Sequence, residues 1–170
     1  MKGKKLAAKI MLGLLLATPY GLTEAGEQSG TIDYSVNKTD SIIITANESQ
    51  KFNDTNIIGY GVYAANRDII NLTGSEITIN AEQFNPELTE IRGAWARDNS
   101  TISLGKSDSI VSVNAKGNKV MALTAIGTNS KLKVNADSLF VNVESTSKDG
   151  YGIHAQNILK IQLLLVQLHP

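Results

Sequence analysis

The chain of 170 residues contains no cysteine and few arginines, and its 16 basic residues are balanced by 16 acidic ones. The absence of cysteine excludes a disulfide framework, thiolate chemistry and a cysteine-ligated zinc site. Nucleic-acid binding relies on concentrated Lys and Arg, so this composition argues against a nucleic-acid partner. With 42% hydrophobic residues, the chain has the composition of an ordinary globular protein of one domain at most.

The amino-terminal hydrophobic run is too short to span a membrane. It covers residues 10–17, whereas a transmembrane helix needs about 20 apolar residues. Four lysines precede it, and Pro19 and the small residues around Ala25 follow it. This pattern predicts a secretory signal peptide at 1–25, removed to leave a mature net charge of about −3. An exported chain without cysteine indicates a bacterial envelope or cell surface.

The rest of the sequence repeats with a period of about 30 residues. The four copies of the first segment are residues 60–64, 92–96, 121–125 and 151–155. A second short alternating segment follows at 70–72, 102–104, 132–134 and 161–163, with residues 34–36 as an earlier copy. A third lies at 77–81, 111–115 and 141–145, with 42–46 as its earlier copy. Each repeat is therefore predicted to contain three short strands.

Three strands per repeat predict a right-handed parallel β-helix over residues 26–157, with three strands per ~30-residue coil and about three to four coils. No stretch in this region has helical periodicity over ten residues. An antiparallel meander sandwich would also give short alternating strands, but it would not require the repeats to match in register.

Alternation within the first segment predicts which side chains face the core. The positions expected to face inward are Val62, Ala94, Leu123 and Ile153, together with Ala64, Ala96, Ala125 and Ala155. The positions expected to face outward are Gly61, Gly93, Ala122 and Gly152, together with Tyr63, Trp95, Thr124 and His154.

Two regions depart from the regular repeat. Insertions collect between the third strand and the next first strand, at residues 47–59 and 82–91, and this corner is a candidate for binding a partner. Residues 158–170 contain no Asn, Ser, Thr, Gly or Asp. This apolar tail fits a frameshift, a truncation or a cap over the open end. Beside an uncovered strand edge, it also indicates possible self-association through that end.

The pattern of Tyr60, Gly61, Val62, Tyr63 and Ala64, with strands ending in Ile-Thr-Ile-Asn-Ala, resembles the passenger regions of bacterial autotransporters. The signal peptide and the lack of cysteine add to the resemblance. It implies an exported β-helix stalk that serves adhesion or display at a Gram-negative cell surface. It also implies that a full-length form associates with the outer membrane through a carboxy-terminal β-barrel, which this sequence lacks.

The search for catalytic chemistry gives no candidate. His154 is the only histidine in the repeats, and no Gly-x-Ser-x-Gly nucleophile elbow is present. Asp68 and Asp98 lie near each other in the repeat register but two positions out of step. No catalytic, metal-binding or cofactor-binding residue is therefore predicted, and the chain is not expected to be an enzyme. The alternatives are a polysaccharide-degrading β-helix enzyme and a truncated gene product without a function of its own.

One group of planar side chains is a candidate ligand-contact surface. It consists of Tyr60, Tyr63, Arg92, Trp95 and His154. Such side chains beside a column of glycines could stack on the sugars of a host or neighbouring cell, or contact a surface protein there. The structural alternative is that exposed aromatic residues stabilise strand glycines and have high strand propensity.

Overall fold

The computed structural model describes residues 31–35, 41–53, 55–156 and 162–165. The predicted signal peptide lies outside the described residues, and so does most of the predicted tail at 158–170. Every regular element in the described part is a β-strand. That part therefore contains no helix with the length and hydrophobicity needed to cross a membrane.

Fourteen strands follow one another along the described chain. Their bounds are β1 Thr31–Ser35, β2 Ser41–Thr45, β3 Glu48–Asn53, β4 Asn56–Ala64, β5 Ile69–Thr73, β6 Glu76–Glu82, β7 Glu90–Arg97, β8 Thr101–Leu104, β9 Ile110–Gly117, β10 Val120–Ile126, β11 Lys131–Ala136, β12 Ser138–Ser145, β13 Gly150–Gln156 and β14 Gln162–Leu165. Their β-branched residues favour the extended conformation, and Asn, Asp, Ser and Gly are favoured in the turns between them.

The strands form three sheets around one core. Sheet A has the strand order β13-β10-β7-β4-β3, sheet B has β1-β5-β8-β11-β14, and sheet C has β12-β9-β6-β2. All neighbours are parallel apart from β3 and β4. Three complete coils follow in sequence: β4-β5-β6, β7-β8-β9 and β10-β11-β12. The fold is thus an all-β parallel solenoid of about three turns, which confirms the predicted parallel β-helix class.

The repeat alignment predicts the pairing in sheet A correctly. The positions that pair from coil to coil are Val62, Ala94, Leu123 and Ile153. In sheet B, Leu163 of β14 lies opposite Val134, as the alignment of the fourth repeat predicts. The second strand of the fourth repeat therefore forms even though the surrounding sequence has lost its turn residues.

Two predicted registers are wrong by two residues. Tyr34 pairs with Leu72, whereas the alignment placed Tyr34 opposite Ile70. Val141 pairs with Val113, whereas the alignment placed it opposite Val111. A shift of two residues keeps the same side chains facing inward, so the apolar pattern alone does not distinguish the two registers.

The space between the sheets is filled by aliphatic side chains stacked in columns. In sheet C, Ile44, Ile79 and Val113 lie on successive coils and are fully buried. In sheet B, Ile70 and Ile102 form a similar column. Full burial of one such side chain contributes about 2 kcal/mol. The buried cluster runs through all three coils without a break, so each coil depends on its neighbours for burial.

The turns between sheets A and B explain part of the Asn, Asp and Ser content. Asn66 and Asp98 occupy the left-handed region with φ of 55° and 52°, which Asn and Asp tolerate better than most residues. The Oγ of the buried Ser100 accepts a hydrogen bond from the Arg97 amide at 2.9 Å and donates one to the Ala64 carbonyl at 2.8 Å. These polar residues therefore satisfy backbone groups where the chain leaves one sheet for the next.

The two long insertions have a packing role at the corner between sheets C and A. The first contains β3, which pairs antiparallel with β4 and shifts register between Lys51 and Asn53. From the second, the side chains of Phe84 and Leu88 approach Gly59, and Leu88 is buried in the core. The partner-binding role predicted for this corner stays a prediction.

Candidate functional site

Sheet A departs from simple alternation at the middle of each strand. In β4, both Gly61 and Val62 face the core: Val62 is fully buried, and a Cβ on Gly61 would lie 2.5 Å from Cγ2 of Ile79. In β7, a Cβ on Gly93 would lie 2.5 Å from Cγ1 of Val113. The prediction that this glycine column faces outward is therefore wrong. Two successive inward positions fit because the first has no side chain to pack.

On the outer face of sheet A, side chains that are three residues apart in one strand consequently lie side by side. Tyr60 and Tyr63 of β4 have ring centroids 4.9 Å apart. In β7, the guanidinium carbon of Arg92 lies 3.9 Å from the centroid of the Trp95 ring. The two strands are joined by a contact of 4.7 Å between the centroids of Tyr63 and Trp95. The structure thus brings four of the five predicted ligand-contact residues together.

These four side chains are buried, so the exposure predicted for them is wrong. The exposed fractions are 1% for Tyr60, 7% for Tyr63, 6% for Arg92 and 2% for Trp95. The rings stack on one another and the guanidinium covers the indole, and these contacts shield part of each group from solvent. A sugar ring has no access to this cluster in the structure.

The fifth residue, His154, lies apart from the other four on the last strand of the sheet. His154 pairs with Thr124, and Thr124 pairs with Trp95. The coil that contains Thr124 therefore lies between His154 and Trp95. The neighbour of His154 on its own strand is Tyr151, with ring centroids 5.4 Å apart. Tyr151 is 44% exposed and His154 is half-buried, so this pair is the accessible part of the outer face.

A buried ionic cluster lies beside the rings. Nε of Arg92 donates a hydrogen bond to Oε1 of Glu90, and both side chains are almost fully buried. Nζ of Lys119 lies 3.6 Å from the other carboxylate oxygen of Glu90. The positive charges of Arg92 and Lys119 offset part of the desolvation cost of burying the Glu90 carboxylate. Arg92 is therefore held on one side by Glu90 and on the other by the Trp95 ring.

Burial changes the acid–base properties of this cluster. It raises the pKa of Tyr60, with the nearby Glu48 carboxylate as a smaller cause. Burial also raises the pKa of Tyr63, although the charge of Arg97 opposes the change. Desolvation lowers the pKa of Arg92, and the hydrogen bond that Arg92 donates to Glu90 opposes this change. The two phenols are thus neutral at physiological pH, and their burial carries no cost for an unpaired charge.

The carboxylates considered in the sequence do not form a site. The strand register places Asp68 beside Ser100 and Asp98 beside Asn66, which keeps the two acids out of step. Asp68 is buried, with 9% of its surface exposed. Among the described residues, no group of three or more His, Asp or Glu side chains could hold a metal ion.

Comparisons with known protein families, curated proteins and solved structures find no match. The repeat alignment did not identify Glu90 as the shared ionic partner of Arg92 and Lys119. The sequence does indicate an ion pair here, because Glu90 and Lys119 occupy the same repeat position, directly before the paired residues Ile91 and Val120.

Proposed function

We propose that this chain is a non-catalytic stalk of an exported surface protein, similar to the β-helix passenger of a bacterial autotransporter. The observation that supports the proposal is the unbroken column packing through three complete coils. In a solenoid, length grows with the number of coils while the cross-section stays constant. Such a shape holds a binding surface at a distance from the cell that displays it.

The stalk would serve adhesion or display toward a glycan or a surface protein of a host or neighbouring cell. The exposed pair of Tyr151 and His154 is the part of the predicted ligand surface that a partner could reach. A full-length form would be held at the Gram-negative outer membrane. These assignments rest on the signal-peptide pattern and on the resemblance of the repeats to passenger regions.

Export is the first expected result. When the full chain is expressed with a carboxy-terminal epitope tag in a Gram-negative host, we expect the tagged protein outside the cytoplasm, beginning at Gly26. Amino-terminal sequencing of the fractionated protein measures this. A matched variant that lacks residues 2–25 should stay in the cytoplasm. Recovery of the intact chain in the cytoplasm would contradict the proposal.

Binding and hydrolysis assays on the purified exported chain distinguish a non-catalytic stalk from a polysaccharide-degrading enzyme. A non-catalytic adhesin should be retained on some immobilised glycans or cell surfaces without releasing reducing ends from plant or host polysaccharides. Substitution of Tyr151 by Ala tests whether the exposed pair contributes to retention. Release of reducing ends would support a polysaccharide-degrading enzyme and overturn the stalk proposal.

A further inference from the structure

The outer face of sheet A is more deeply buried than the outer faces of the other two sheets. In the second coil, Ser103 of sheet B and Ser112 of sheet C point outward and are only half-buried. On the outer face of sheet A in the same coil, Arg92 and Trp95 are almost fully buried. Side chains that point away from the core reach solvent unless something lies over them, so the outer face of sheet A is covered.

Stacking within this face accounts for only part of the burial. Thr124, which pairs with Trp95 and has a short side chain on the same face, is also fully buried. Every described strand belongs to one of the three sheets around the core, so none of them passes over sheet A. The long insertion at 82–91 packs on the other side of the sheet, where Leu88 approaches Gly59 from the core. The cover therefore comes from a part of the chain outside the described ranges.

The distribution of burial indicates that the cover comes from the amino-terminal side. Tyr60 on β4 is 1% exposed and Met121 on β10 is 5% exposed, whereas Tyr151, which pairs with Met121, is 44% exposed. The chain enters the solenoid at the same end, because β1 forms the first strand of sheet B. Thr31 of β1 lies opposite Ile69, just after the corner where the chain leaves sheet A. The residues that precede Thr31 therefore adjoin the buried end of the face.

The chemistry of the face fits an apolar cover. Nη1 of Arg92 and Oγ1 of Thr124 are buried, and no described group forms a hydrogen bond with either atom. A polar segment packed here would supply such bonds, because buried polar groups are normally paired. Residues 26–30 contain no apolar side chain, whereas residues 10–17 are apolar throughout apart from one glycine. The apolar run is therefore the segment before Thr31 that matches the face.

We propose that the leader of the unprocessed chain packs its apolar run at residues 10–17 on the outer face of sheet A and keeps the aromatic cluster closed until export. This proposal rests on the exported stalk proposed above, because removal of residues 1–25 is what uncovers the face. The mature protein then presents the rings of Tyr60, Tyr63 and Trp95, and the unbonded Nη1 donor of Arg92, to a ligand. Planar rings with a few polar donors suit the apolar face and hydroxyl groups of a sugar.

Trp95 is the only tryptophan in the chain, so its fluorescence reports the cover directly. Acrylamide quenching is compared between the full chain, made by cell-free translation so that the leader is retained, and the variant that lacks residues 2–25. We expect severalfold stronger quenching and emission at longer wavelength in the shorter chain, because its indole is open to solvent. The same β-sheet circular dichroism in both proteins excludes unfolding as the cause. Equal quenching in two folded chains would overturn the proposal.

Substitutions in the full chain identify the covering segment without any deletion. Leu14→Gln with Leu15→Gln should also raise the quenching of Trp95 severalfold, because polar side chains disfavour an apolar contact. The matched control is Val166→Gln with Leu168→Gln in the apolar tail, which should be quenched like the wild type. Unchanged quenching in the leader variant, or stronger quenching in the tail variant, would contradict the proposal. These measurements require neither export nor a ligand, so their failure is distinguishable from failure of the proposed adhesion or display.

Discussion

Replacement of Gly93 by alanine is expected to lower the free energy of unfolding by about 3 kcal/mol, near the upper end for overpacked cores. A Cβ at this position would lie 2.5 Å from the carbonyl oxygen of Ala122 and 2.5 Å from Cγ1 of Val113. The carbonyl belongs to the next coil and cannot move without disturbing the parallel pairing of β7 and β10. Urea unfolding of wild type and variant, followed by circular dichroism, measures the loss.

Gly152 provides the matched control for this experiment. It occupies the same column one coil beyond Ala122, and its added Cβ would meet only Cγ1 of Val141, at 3.5 Å. Gly152→Ala should therefore leave the urea midpoint unchanged or raise it slightly, because alanine restricts the unfolded chain. Equal effects at Gly93 and Gly152 would show that the glycine column does not face a closely packed core.

Replacement of Arg92 by methionine is also expected to destabilise the fold by about 3 kcal/mol. The substitution leaves the buried Glu90 carboxylate with Lys119 at 3.6 Å as its remaining described ionic partner. Removing one member of a buried pair costs more than removing both, because the charge that remains is poorly solvated. The urea midpoint of the single variant checks the expected loss.

The double variant Glu90→Leu with Arg92→Met is expected to recover most of that loss, since no buried carboxylate then lacks its partner. Lys116→Met is the control at an exposed ion pair, where Nζ lies 2.7 Å from Glu144 and both side chains are mostly exposed. It should leave the midpoint nearly unchanged. A double variant as unstable as Arg92→Met would contradict the pairing of Glu90 with Arg92.

The repeat period was sufficient to predict the solenoid and most of its pairing. Apolar or small side chains recur at matched core positions because each coil packs on the next, so the sequence alignment also predicts the strand register. The alignment failed only where an apolar side chain occurs two residues away, as at Leu139 before Val141. In those strands both registers bury similar side chains, and turn geometry decides between them.

The arrangement of the candidate site was harder to predict from the sequence than the strand pairing. Strict alternation placed Gly61 outward, because it assumes that no two neighbours share a side of the strand. Gly61 and Val62 both face the core, which breaks that rule and leaves Tyr60 and Tyr63 together on the outer face. Aromatic residues three apart around a glycine were visible in the sequence. Their burial depends on stacking between coils, which the pattern of one strand does not contain.

The measurement that tests the parallel solenoid most directly is cross-linking between adjacent coils, which is clean in a chain without cysteine. Thr78 and Ser112 pair in register on neighbouring parallel strands, so their Cα atoms lie about 4.8 Å apart, within the range of a disulfide. Ile110 on the same face is offset by two residues, about 8 Å from Thr78. We expect Thr78→Cys with Ser112→Cys to close an intrachain disulfide under native oxidation. Thr78→Cys with Ile110→Cys should keep two free thiols. Equal cross-linking of the two pairs, or none in the first, would contradict the stacked parallel coils.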